Sequence, residues 1–140
     1  MNLTTLIFIA GVGQLCLITA SLMIPRVLRW SEDVAKLRPL TRQVFWTYSI
    51  YIWSTNLFFG IVSVTIPGEL VSGTPIALAL SAFITLYWAG RLVIQFAYFD
   101  RSEAPKGLSF VVAESLLVGL FVLLTVVYGA AAWTNLGGPG

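Results

Sequence analysis

The chain has 140 residues, of which 58% are hydrophobic and 10% charged. A soluble domain of this size cannot hide so much apolar surface, so the composition points to lipid as the solvent. Eight basic against six acidic residues leave +2, too small a bias for a nucleic-acid partner. Histidine is absent and Cys16 is the single cysteine, which removes histidine-ligated haem, intrachain disulfides and clustered metal ligands; no metal or cofactor is expected.

The run Leu3–Ile24 is apolar and long enough to cross a hydrocarbon layer of roughly 30 Å at about 1.5 Å per residue. Residues 1–5 carry no basic side chain, and Pro25-Arg26 follows where a cleavage site would need small residues, so a span is expected here and not a cleaved leader. Gly13, Cys16 and Ala20 form a small-residue face for close helix packing, with Cys16 as filler, and Gln14 places one amide near mid-span.

Arg26–Gln43 is the main aqueous segment, with Arg26, Arg29, Lys36, Arg38 and Arg42 against Glu32 and Asp33. Ser31 before two acids suits a helix N-cap, and Pro39 closes the piece, so a short interfacial helix with Val34 and Leu37 toward lipid is expected, Trp30 lying at headgroup level. The basic residues read either as a topology signal or as a site for anionic lipid headgroups.

Val44–Ile66 is the second span and the most aromatic. Ser49, Trp53, Asn56, Gly60 and Ser63 recur at alternating steps of four and three, which makes one helical stripe that should face protein. After the turn Pro67–Thr74, Thr74-Pro75 supplies a capping hydroxyl and a proline at the first helical position of a third span, Pro75–Phe99. Its polar stripe is Tyr87, Trp88, Arg91, Gln95 and Tyr98. Residues 100–108 return the chain through Arg101 and Lys106, and Ser109–Trp133 is the fourth span, with Glu114, Phe121, Thr125 and Tyr128 on one face.

The connections between spans hold five, zero and two basic residues in order, so by the positive-inside rule the first and third face the cytoplasm and both termini lie outside. The expected architecture is an all-α, four-span up-and-down bundle over residues 1–140, multi-pass in the cell (inner) membrane.

Arg91 lies nine residues before Asp100, roughly 13 Å from the cytoplasmic end of its helix, and its Cβ leans away from the nearer water. A charge at that depth needs a partner. Glu114, five residues into the fourth span, is the acid expected to supply one, directly or through Gln95. Arg91, Glu114, Gln95, Tyr98, Asn56 and Gln14 are therefore the candidate intramembrane polar site, with no catalytic residue assigned among them.

Length, four spans, external termini and a basic first cytoplasmic loop resemble the MAPEG family of membrane glutathione-linked enzymes and eicosanoid synthases, and Ala89-Gly90-Arg91 followed by Tyr98 resembles that family's third helix. The family's Arg, Asn and Glu set on the second helix is not reproduced, because Arg42 and Asn56 are too far apart and no acid accompanies them. The likeness is one of architecture.

No nucleophile with a base, no metal-ligand cluster and no phosphate-cradling glycine loop occurs. The expectation is a non-catalytic subunit, accessory or lipid-binding bundle, with membrane lipids and a homo-oligomer or larger membrane complex as partners. The alternatives are a membrane-embedded enzyme on an amphipathic or lipid substrate, with Arg91 binding an anion, and a small oligomeric transporter with Glu114 titrating.

Overall fold

A computed structural model describes residues 2–98 and 107–137. The expected end of the third span at Phe99, the return loop with Arg101 and Lys106, and the last three residues lie outside that range. The described residues are helical or in turns: α1 Leu3–Ser21, α2 Ile24–Val27, α3 Trp30–Val34, α4 Pro39–Thr65, α5 Pro75–Ala97 and α6 Leu108–Asn135, with a 3-10 turn at Pro67–Val71 between α4 and α5.

Among the described residues, three stretches are long and apolar enough to cross a membrane: Leu3–Val27, Pro75–Ala97 and Leu108–Asn135. Only 28%, 22% and 17% of their apolar windows are buried, so most of that surface faces outward and calls for an apolar solvent. Helix α4, at 27 residues, spans about 40 Å. Its hydroxyls, amides and N-terminal Arg42 keep it below the apolarity of the other three.

Local chemistry sets the helix ends. Asn2 caps α1 by accepting from the Thr5 amide at 2.8 Å, and Thr74 caps α5 by accepting from Ala77 at 3.1 Å, with Pro75 at the first helical position. Pro39 opens α4 instead of closing the preceding piece, because its fixed φ suits a first helical turn that needs no amide there; the helix therefore begins five residues before Val44. Arg29, not Ser31, precedes α3, and no side chain caps that helix. Arg29 adopts φ 54° and ψ 46°, the left-handed conformation that turns the chain from α2 into α3. Val34 is 5% exposed and packs inward, so of the two residues expected to face lipid only Leu37 is exposed.

Helix α1 packs along α4 and α6 packs along α5; α1 then meets α6, joining the two pairs. Rings meet between α4 and α5, Phe59 lying edge-on against Phe83 and Tyr87 at 5.9 and 5.3 Å between centroids. The core runs through Ile7, Ala10, Phe59, Ile84, Trp88, Phe121, Leu124, Tyr128 and Ala131.

The stripe read on α4 does face protein, with Gly60 and Ser63 buried and Ser49, Trp53 and Asn56 half-buried. The face read on α1 does so only at Gly13, where an added Cβ would lie 3.1 Å from Leu120 Cδ1 of α6. Cys16 and Ala20 are exposed, and α1 instead presents Ile7, Ala10, Gly11, Gln14 and Ile18. Closeness decides this: a Cβ on Gly11 would lie 2.7 Å from Ser63 Cβ and 3.1 Å from the Gly60 carbonyl oxygen, while one on Gly60 would meet Leu15 Cδ2 at 2.8 Å. Glycine at both positions lets α1 and α4 approach along their backbones.

Candidate functional site

Two polar constellations occupy the interior, and their chemistry differs. The first ties four helices together. Gln14 donates from Nε2 to the Tyr128 hydroxyl at 2.5 Å, Trp88 donates from Nε1 to Gln14 Oε1 at 3.2 Å, and Ser63 shares a hydrogen bond with the same Tyr128 hydroxyl. Gln14, Ser63 and Tyr128 are 0% exposed and Trp88 is 1% exposed. The Tyr128 oxygen and both ends of the Gln14 amide are occupied, so nothing here invites a ligand. The network is a fastening.

A second fastening sits at the end where α4 turns into α5. Asn135 of α6 donates to the Leu70 carbonyl at 2.7 Å and to Ser81 Oγ at 3.1 Å, and it accepts from the Gly73 amide at 3.0 Å. Gly73, at φ 79°, takes a backbone conformation that glycine enters without steric cost.

The other constellation surrounds Arg91. Its guanidinium carbon stands 5.3 Å from the centroid of the Phe121 ring, a cation–π arrangement worth about 0.5–2 kcal/mol depending on desolvation. The Tyr87 hydroxyl is the neighbouring group on α5, with the Asn56 amide of α4 beside it. Asn56 Oδ1 is buried with no hydrogen-bond partner among the described residues. One turn further, buried Gln95 donates to Glu114 Oε1 at 3.2 Å. Arg29–Glu32 and Lys36–Asp33 are ion pairs on the surface, whereas in the interior the Gln95 amide meets the Glu114 carboxylate. Tyr98, at the end of α5, is 81% exposed. The six residues named from sequence thus divide: Gln14 belongs to the fastening, Asn56 and Arg91 to the α4–α5 seam, Gln95 and Glu114 to an α5–α6 bridge, and Tyr98 to the surface.

Sequence reasoning missed the role of Ser63, Trp88 and Tyr128 as one network with Gln14. Each stands on a stripe that the spacing marks as polar, which is the signal the sequence offers; the pairing between helices is what spacing does not show. It also missed a cleft of about 430 Å³ where α2 and α3 meet the start of α4, lined by Pro25, Arg26, Arg29, Ser31, Glu32 and Trp46. An arginine in the left-handed conformation at its edge carries a backbone cost of about 1–2 kcal/mol relative to glycine.

No group of three or more potential metal-binding side chains occurs among the described residues. No protein-family model matches the chain, and neither a characterised protein nor a solved structure matches it.

Proposed function

We propose that the chain is a four-span membrane bundle with both termini outside, multi-pass in the inner membrane, acting without catalysis as an accessory or lipid-binding subunit. One observation carries this reading. The Gln14–Tyr128–Ser63–Trp88 network fills the place where the helices converge with mutually satisfied polar groups, which leaves no polar route along the axis for a transported species. What remains chemically open lies at the α4–α5 seam, where Asn56 Oδ1 is buried without an acceptor's donor and Tyr87 and Arg91 stand beside it. A lateral seam of this kind suits the headgroup of an amphipath or a polar residue of a neighbouring helix.

The same seam keeps one alternative, a membrane-embedded enzyme on an amphipathic substrate with Arg91 holding its anion. Native mass spectrometry of the chain extracted in mild detergent tests the proposal. A stoichiometric companion polypeptide or a retained lipid, lost on Asn56→Leu, is the expected result. A bare chain whose Asn56→Leu variant is indistinguishable would refute it.

A further inference from the structure

The α2–α3 corner holds chemistry that the fastening and the seam leave unused. Arg26 and Arg29 line one cleft with the Ser31 hydroxyl and the Trp46 indole, and Glu32 is the single carboxylate among them. Two guanidiniums against one carboxylate leave a net positive site. Glu32 does not neutralise it firmly: its carboxylate is 3.9 Å from Arg29 Nη1, with both side chains well exposed at 64% and 76%, where such pairs are weak. Planar guanidiniums with a nearby hydroxyl match the oxygens of a phosphate, which they bind by paired N–H donors.

The surroundings fix where that phosphate comes from. Trp30, Phe45 and Trp46 form an edge-to-face ring cluster, with centroids 5.3 and 5.4 Å apart along the chain of rings, and indoles of this kind settle at headgroup depth. In the segments that carry the cleft, Met23, Val27, Leu28 and Leu40 are exposed at 51%, 67%, 43% and 70%, apolar side chains that this chain leaves uncovered. Exposed arginines beside indoles and uncovered apolar side chains match the chemistry of the boundary between headgroups and acyl chains. The left-handed Arg29 is the one non-glycine residue with positive φ among the described residues, and that turn sets both arginines on the same cleft.

We infer that the cleft formed by Arg26, Arg29, Ser31 and Trp46 binds the phosphate of an anionic phospholipid, the indole and the exposed apolar side chains of the same segments receiving the adjoining glycerol and acyl carbons. The inference rests on the membrane embedding proposed above but not on the sidedness, since a headgroup layer borders either face.

The test uses the full chain in neutral detergent, with native mass spectrometry reporting retained lipid after addition of phosphatidylglycerol, phosphatidylcholine or a neutral galactosyl diacylglycerol. Wild type should retain phosphatidylglycerol at least tenfold over the galactolipid. Arg26→Gln/Arg29→Gln should lose that preference, whereas Lys36→Gln/Arg42→Gln, which removes the same charge outside the cleft, should stay within twofold of wild type. Arg26→Gln alone, which leaves the left-handed turn untouched, should lower retention at least threefold and guards against a misfolded double variant. Equal losses in the two double variants would overturn the site in favour of diffuse attraction. Displacement of the lipid by a few millimolar inorganic phosphate, with no preference for phosphatidylglycerol over the galactolipid, would reassign the cleft to soluble phosphate. A bound phosphatidylglycerol that Asn56→Leu releases and the arginine variants do not would overturn this inference while leaving the seam proposal standing.

Discussion

Tyr128→Phe isolates the fastening, because it deletes one oxygen and leaves the ring in place. That oxygen accepts from Gln14 Nε2 and shares a hydrogen bond with Ser63, in surroundings where Tyr128 is 0% exposed. Interhelical hydrogen bonds in lipid average about 0.6 kcal/mol and reach about 1.7, so losing both contacts costs about 1–3 kcal/mol before relaxation. Ser63 relaxes easily, since a serine in a helix can turn its hydroxyl to the carbonyl of the preceding turn. Gln14 cannot follow: its remaining Nε2 contact, to the Ala10 carbonyl, is already at the 3.5 Å limit. The expected loss is therefore about 1–2 kcal/mol, a factor of roughly 5–30 in the folding equilibrium. Reversible unfolding in mixed micelles, titrated with a denaturing detergent and followed by circular dichroism, measures it. Gln14→Leu should cost at least as much, because it also strands Trp88 Nε1, and the pair should couple by about 1 kcal/mol in a double-mutant cycle. A Tyr128→Phe protein within about 0.3 kcal/mol of wild type, with no coupling to Gln14, would refute the claim that these bonds hold the helices together.

The remaining expectations concern packing, the turn and sidedness. Gly11→Ala should destabilise more than Gly60→Ala, because the new methyl meets Ser63 Cβ and a carbonyl in the first case and the movable end of Leu15 in the second; Gly119→Ala, with open space around it, should be silent in the same unfolding assay. Asn135→Ala should cost about 1–3 kcal/mol, since it leaves the Leu70 carbonyl and the Gly73 amide to find other partners, and amide hydrogen exchange at residues 70–74 should quicken. A membrane-impermeant maleimide on intact cells should label cysteine placed at positions 2, 68 or 137 and spare position 36, all in a Cys16→Ser background because the native thiol is exposed. Position 68 is the right probe of the second turn: Leu70 is 1% exposed, while Gly68 has open space around it. Labelling at 36 alone would invert the topology.

How far the sequence could be read depended on whether polar residues marked a face. On α4 they did: serine, asparagine and glycine at steps of three and four picked out the inward stripe, and Thr74-Pro75 located the start of α5 to the residue. On α1 they did not, because a helix whose outside meets lipid is as apolar outside as inside, and small residues on the wrong side looked like a packing face. The close approach belongs to Gly11, whose partner glycine is 49 positions later, and no local pattern announces such a pairing. Spacing along α5 offers both Arg91 and Gln95 to Glu114, and helix rotation, which spacing does not fix, brings the Gln95 amide to its carboxylate. Arg29 gave no hint of its left-handed turn, since neither glycine nor asparagine stands there.

The Asn135 clasp has a meaning for how the molecule comes together. Helices α1 and α4 form one hairpin and α5 and α6 another, each from neighbouring segments of chain. The turn between the hairpins leaves the Leu70 carbonyl and the Gly73 amide waiting for a side chain that is the last of α6 to be made. The first hairpin is built from contacts within residues 3–65, whereas the linker between hairpins depends on a side chain from the far end of α6. Asn135 therefore couples the end of α6 to the turn between the hairpins, and a chain without that side chain would keep its apolar helices and lose this clasp.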